Sequence, residues 1–111
     1  MSQRVYIAGP YTKGDVAANV RAAVDAAEQV AKLGHFPYVP HLTHFWHLIH
    51  PHDWTFWMAL DQEWLLQCDC VIRLPGESRG ADDEVALAER HGIPVYYGLD
   101  EFFEARPAGG E

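Results

Sequence analysis

Cysteine is scarce in this chain. Its two copies, Cys68 and Cys70, stand one residue apart around Asp69. A pair that close, with no second pair, builds neither a disulfide framework nor a zinc knuckle, so both read as reduced core residues where a strand begins. Positive charge is scarce too: eight Lys and Arg against sixteen Asp and Glu give a formal charge of −8. That balance argues against polymeric nucleic acid, which is gripped by clustered basic side chains that displace counterions. A single nucleotide stays open, because backbone N–H groups at a helix start can hold one phosphate. Apolar runs are short, well below the ~20 residues of a membrane span, and the first residues carry no charged-then-apolar leader. The expectation is a cytoplasmic protein with no membrane contact. What is present, 49% hydrophobic and 22% charged residues among 111, is the make-up of one globular domain. It is expected over residues 1–105, with the Pro/Gly-rich 106–111 as a disordered tail.

The apolar period alternates between strand-like and helix-like segments. "RVYIA" (4–8) reads as a buried strand ended by Gly9-Pro10. Asp15 can cap a helix to about Leu33, with Val20, Val24, Ala27 and Ala31 as its inner stripe and Gly34 as its stop. "FPYV" (36–39) reads as a second strand, followed by a histidine-rich connection to Asp53, which can cap a helix from Trp54 to about Gln67. "CVIRL" (70–74) is a third strand, "PGESRG" (75–80) a loop, and Ala81–His91 a helix stopped by Gly92. "PVYY" (94–97) is a fourth strand and "LDEFFEA" a short last helix. Continuous apolar strands separated by helices predict a three-layer α/β/α sandwich around a parallel sheet of four or five strands, flavodoxin-like in order. Ligands of such a sheet bind beyond the carboxyl ends of the strands, where the strand order reverses. The loops at that edge are 9–14, 40–53, 75–80 and 98 onward.

Two acids face the wrong way for surface residues. On the 54–67 helix, a turn of about 100° per residue gathers Trp54, Trp57, Met58, Trp64, Leu65 and Cys68 into one arc, with Asp61 at its centre. An acid there is costly unless it is bonded or needed. It either accepts backbone N–H bonds from a loop or does chemistry. The helix from 81 opens with Asp82, Asp83 and Glu84, which its dipole alone would favour. Only Glu84 falls on the inner arc with Ala81, Val85, Leu87, Ala88 and His91; Asp82 points away as a solvated dipole partner. Two carboxylates flanking a reactive carbon are what glycosidic cleavage requires. The helix start would keep Glu84 ionised as a nucleophile, and an apolar surround would hold Asp61 protonated as an acid.

The stretch "HLTHFWHLIHPHDW" (41–54) holds five of the seven histidines. Zinc wants three or four converging ligands, usually with a local His-x-x-x-His pair. Here the spacings are three, three, three and two, and no nearby Cys or Glu completes a set, so no metal is expected. Trp and His make good walls for a flat heterocycle, with Trp46 and Trp57 as candidates. Four tryptophans between 46 and 64 are hard to bury in so short a chain, which points to a pocket shared with a homodimer or higher homo-oligomer interface.

"VYIAGPYT" before a helix, then "DQEWLLQCDCVI", then "SRGADDEVALA" resembles, in that order, the nucleoside 2-deoxyribosyltransferase-like proteins over residues 4–97. The nearest branch is the deoxynucleoside 5′-monophosphate N-glycosidases, together with small phage and bacterial relatives that start "AGPYT". The most specific element is an Asp-x-x-Trp-Leu helix paired with a Ser-x-Gly-x-x-x-Glu helix start. The resemblance implies that Glu84 attacks the anomeric carbon, that Asp61 is the acid for the leaving base, and that Tyr6 contacts the nucleophile and sugar. It implies that Ser78 and the amides of Gly80 and Ala81 hold a 5′-phosphate. The loop of Gly9, Pro10 and Tyr11 would lie beside phosphate and sugar, and His41 near the base. The transferases carry Asp-x-Gly-Thr before the glutamate where this chain has Ser-Arg-Gly-Ala, so Ser78 favours the monophosphate branch. "LPGESRGADDE" is less similar to the loop of nucleotide phosphoribohydrolases. The implied activity is cleavage of a (deoxy)nucleotide or nucleoside to free base, with no cofactor. The alternatives are transfer of the sugar to another base, or a nucleotide-sensing module without turnover.

Overall fold

The computed structural model describes residues 2–106; of the expected 106–111 tail, Arg106 closes the last helix with its N–H on the Phe102 carbonyl, and 107–111 lie outside the described residues. One sheet holds four strands, β1 (Arg4–Ala8), β2 (Phe36–Tyr38), β3 (Cys70–Arg73) and β4 (Val95–Tyr97). Their order is β2-β1-β3-β4, and all three pairings are parallel. This is the expected flavodoxin-like order. Strand β2 pairs Pro37 with Val5 and Tyr38 with Tyr6.

Alternation along β1 sorts the layers. Val5 and Ile7 share one face with Cys70 and Ile72, covered by α1 (Val16–Lys32) and α5 (Leu99–Ala105). Tyr6 and Ala8 share the other with Val71, covered by α3 (Trp54–Leu65) and α4 (Arg79–Arg90). Both faces are buried, which is why β1 and β3 read as unbroken apolar runs. Asp15 caps α1 as expected, accepting from the amides of Ala17 and Ala18 at 3.0 and 3.3 Å. Gly34, at φ 87°, ends it in the left-handed conformation that the turn needs. The inner stripe differs from the expected one: Ala23, Ala26, Ala27 and Val30 are buried, while Val24 is 39% exposed. Alanines let this helix sit close to the sheet, and the valines that suggested another phase stand at the margin.

Residues 40–53 are not a plain connection. A 3-10 turn (Pro40–Leu42) leads into α2 (Thr43–Ile49). Pro40 is pre-set for a first helical position, Thr43 Oγ1 donates to its carbonyl at 2.8 Å, and Pro51 stops the helix by forcing His50 out of it. Helix α4 also starts two residues earlier than expected, at Arg79, because Ser78 is its cap. Glu84 is therefore its sixth residue and not part of its first turn. Among the described residues, no helix is long and apolar enough to cross a membrane.

Candidate functional site

A cleft of about 640 Å³ opens beyond the carboxyl ends of the strands, between the segments that leave β1, β2 and β3. The volume suits a small organic ligand, and the place is the strand-order reversal between β1 and β3. The loop from 98 onward, expected at this edge, adds nothing to its lining.

Asp61 and Glu84 both line the cleft, and both are buried, at 8% and 5% exposure. Tyr6, fully buried on β1, donates its hydroxyl to Glu84 Oε2 at 2.6 Å. Tyr6 is held in turn by stacking on Tyr38 at 5.7 Å, and Tyr38 stacks on Trp64 at 6.1 Å. Burial pushes the Glu84 carboxyl up to about 8, with the charge of Asp61 adding to the rise and the Tyr6 bond and Arg73 opposing it. Burial likewise pushes Asp61 up to about 7, as expected of an acid. The expectation that a helix start keeps Glu84 ionised is overturned, because Glu84 sits too deep in α4 for the dipole to outweigh its desolvation. Asp61 Oδ1 is buried without a hydrogen-bond partner among the described residues. No backbone N–H therefore explains this oxygen.

The upper α4 end differs from the phosphate turn implied earlier. Ser78 Oγ accepts from the Ala81 amide at 3.1 Å, so that amide is committed to the helix cap. Ser78, Gly80 and Ala81 still line the cleft. Asp82 is not a free dipole partner either: Arg73 Nη2 donates to its Oδ1 at 2.9 Å and to the Gly76 carbonyl at 3.0 Å. Arg73 also bonds the Leu74 carbonyl, so it ties the loop before α4 to the helix.

Of the other expected residues, Gly9, Tyr11, His41 and Trp57 line the cleft. Pro10 borders a separate shallow groove with Leu74 and Leu99. Trp46 stands behind the wall, packed edge-on against Trp57 at 5.1 Å. His41 Nε2–H donates to the Pro10 carbonyl at 3.0 Å, and burial lowers its pKa. Tyr11 Oη and His44 Nδ1 are hydrogen-bonded. Trp54 and Trp64, expected on an inner arc, are 54% and 52% exposed, because α3 buries only Met58, Asp61 and Leu65.

Sequence reasoning missed His47, His52, Trp54 and Arg79, which also line the cleft. The Arg79 guanidinium lies 5.8 Å from the centre of the Trp54 ring. The signal for His47 was present in the three-residue histidine spacing, which a helix over 43–49 turns onto related faces. Among the described residues, no three His, Cys, Asp or Glu side chains gather as a metal-ligand set. Cys68 and Cys70 are free thiols, pushed by burial to about 11 and about 12, and take no part.

Fold and site together define a Rossmann-like α/β domain with a paired-carboxyl cleft at its strand-order reversal. The chain belongs to the domain of unknown function family DUF7768, whose model matches residues 3–98. Comparison with curated proteins finds no match. Among solved structures it is similar to the crystal structure of a conserved protein from Enterococcus faecalis V583. The two share 24% identity and a TM-score of 0.66, over 86% of this chain and 62% of that one. At that identity the likeness speaks to the fold.

Proposed function

We propose that this protein cleaves the N-glycosidic bond of a (deoxy)nucleoside 5′-monophosphate or nucleoside, releasing free base. The observation that carries the reading is the pair of buried carboxyls, Glu84 and Asp61, lining one cleft, with Tyr6 donating to Glu84 from β1. In the first step a Glu84 oxygen bonds to the anomeric carbon while the carbon–nitrogen bond breaks, its electron pair leaving with the base and Asp61 supplying the proton. In the second, Asp61 takes a proton from water, whose oxygen displaces Glu84 from the sugar. Tyr6 favours the charged form of Glu84 by donating to it. The reacting form is the one in which the single proton held by the two carboxyls lies on Asp61 and Glu84 is ionised, a form that the positive charge developing on the sugar favours. No cofactor is called for, because side chains fill both roles.

A second reading, a nucleotide-sensing module without turnover, draws on that same Glu84 carboxyl, which burial raises to about 8. Incubation with a panel of nucleosides and monophosphates, with and without an acceptor base, followed by chromatography of free base, separates these readings. Base release that Glu84→Gln abolishes supports cleavage. Exchange only in the presence of an acceptor indicates transfer. Tight binding with no release leaves the sensing module. The reading also takes the protein as a homodimer or higher oligomer, because Phe45, Leu48 and Ile49 of α2 are 63%, 64% and 73% exposed, an apolar face of the kind that protein contacts cover.

A further inference from the structure

One imidazole in the cleft has its proton placed by its neighbours. His47 Nδ1 lies 2.8 Å from Trp57 Nε1 and 3.3 Å from the backbone nitrogen of His52. An indole N–H and a backbone N–H can only donate. Nδ1, with its single lone pair, must therefore be the acceptor that the two donors share, and the ring carries its proton on Nε2. The geometry assigns His47, which lines the cleft, as a fixed hydrogen-bond donor that reads a lone-pair acceptor, a carbonyl oxygen or ring nitrogen, on the edge of a bound heterocycle.

Trp57 acts through His47 as its positioning residue. Its ring stands edge-on to the imidazole, 5.7 Å away at 71°, braced from behind by Trp46. His41 presents the opposite character. It spends Nε2–H on the Pro10 carbonyl and leaves Nδ1, an acceptor, buried without a partner among the described residues. The two rings share a tautomer and differ in which nitrogen is left over. That heterocycle is a nucleobase only if the cleavage reading holds. In that reaction the base departs with the electron pair of the broken bond, and a fixed donor strengthens as charge gathers on its acceptor atom.

The first test needs no substrate. Nitrogen-15 spectra of the imidazoles distinguish the tautomers, and His47 should be protonated on Nε2, as should His41 in the same spectrum. The second uses two flat probes of the same shape, benzimidazole, which has a ring-nitrogen acceptor, and indole, which has none. Benzimidazole should shift the His47 Nε2 signal and bind roughly tenfold more tightly than indole, the worth of one good hydrogen bond. His47→Asn keeps an acceptor near Trp57 and removes the cleft donor, so the preference should vanish. His47→Gln returns an N–H near the Nε2 position and should restore part of it. A ring protonated on Nδ1 would overturn the inference. So would equal binding of the two probes, no binding of benzimidazole, or a preference that survives His47→Asn. Base release is scored separately: its absence with the probe preference intact removes the cleavage reading and leaves the donor in place.

Discussion

Replacing Glu84 with glutamine should make the protein more stable as well as inactive, and the gain should depend on pH. Glutamine keeps the volume and offers a carbonyl oxygen to the Tyr6 hydroxyl that now donates to Glu84 at 2.6 Å. The carboxyl of Glu84 titrates near 8 in the fold against an ordinary 4.5 in the open chain. Between those values the open chain has released its proton and the fold has not, so stability falls as pH rises from about 4.5 towards 8. Each tenfold step is worth about 1.4 kcal/mol, so the wild type forgoes on the order of 3 kcal/mol at pH 7. Below pH 4.5 this contribution vanishes and the two proteins should match. For a domain of this size, 3 kcal/mol corresponds to a rise in Tm of about 10 °C or more. Thermal and urea melts from pH 4 to about 8.5 measure it directly. A variant no more stable than the wild type at pH 8, or one whose advantage is the same at every pH, would refute the account of Glu84 as a buried, strained carboxyl. In the same variant base release should fall by about 10³-fold, roughly 4 kcal/mol of barrier.

Three further outcomes follow from neighbouring contacts. Base release should pass through a narrow maximum between about pH 7 and 8, since the coupled pair of Asp61 and Glu84 must hold one proton; a flat profile over pH 6–9 argues against paired carboxyls. Tyr6→Phe removes the one hydrogen bond that opposes burial at Glu84, so the alkaline limb, which follows Glu84, should move to higher pH, with a loss of about 1 kcal/mol in urea unfolding. Gly76→Ala places a Cβ 2.8 Å from Pro10 Cγ at a residue with φ of 112°, which should cost about 1–3 kcal/mol and lower the urea midpoint; an unchanged midpoint shows that the two loops do not pack.

Local chemistry was legible in the sequence. Asp15 and Asp53 cap helices because a short acid before a helical run has donors within reach, and β1 was evident from its unbroken apolar run. The inward phase of Glu84 survived a wrong helix start, since phase depends on spacing and not on where the helix begins. The start itself was obscured by three consecutive acids that imitate a first turn, while the true cap, Ser78, lay three residues before Ala81. The α1 stripe was misread because alanine carries little apolar signal yet packs closely. What no local pattern could reveal are the contacts between segments. Arg73 reaches Asp82 across a turn, and Trp57 meets His47 across two helices. The charge state of Glu84 belongs with these, because its desolvation is set by how the whole cleft is covered.

The two outer strands have a consequence for how copies of this protein can meet. Strands β2 and β4 are each three residues long, and β2 contains Pro37, which has no N–H to offer an incoming strand. Such edges are poor templates for extending the sheet into a neighbouring molecule. Among the described residues, these edges thus offer little to seed growth into a cross-β fibre, even with the apolar side chains of α2 exposed. If copies meet through the exposed side chains of α2 instead, the contact can form and separate without any backbone ladder being made or broken.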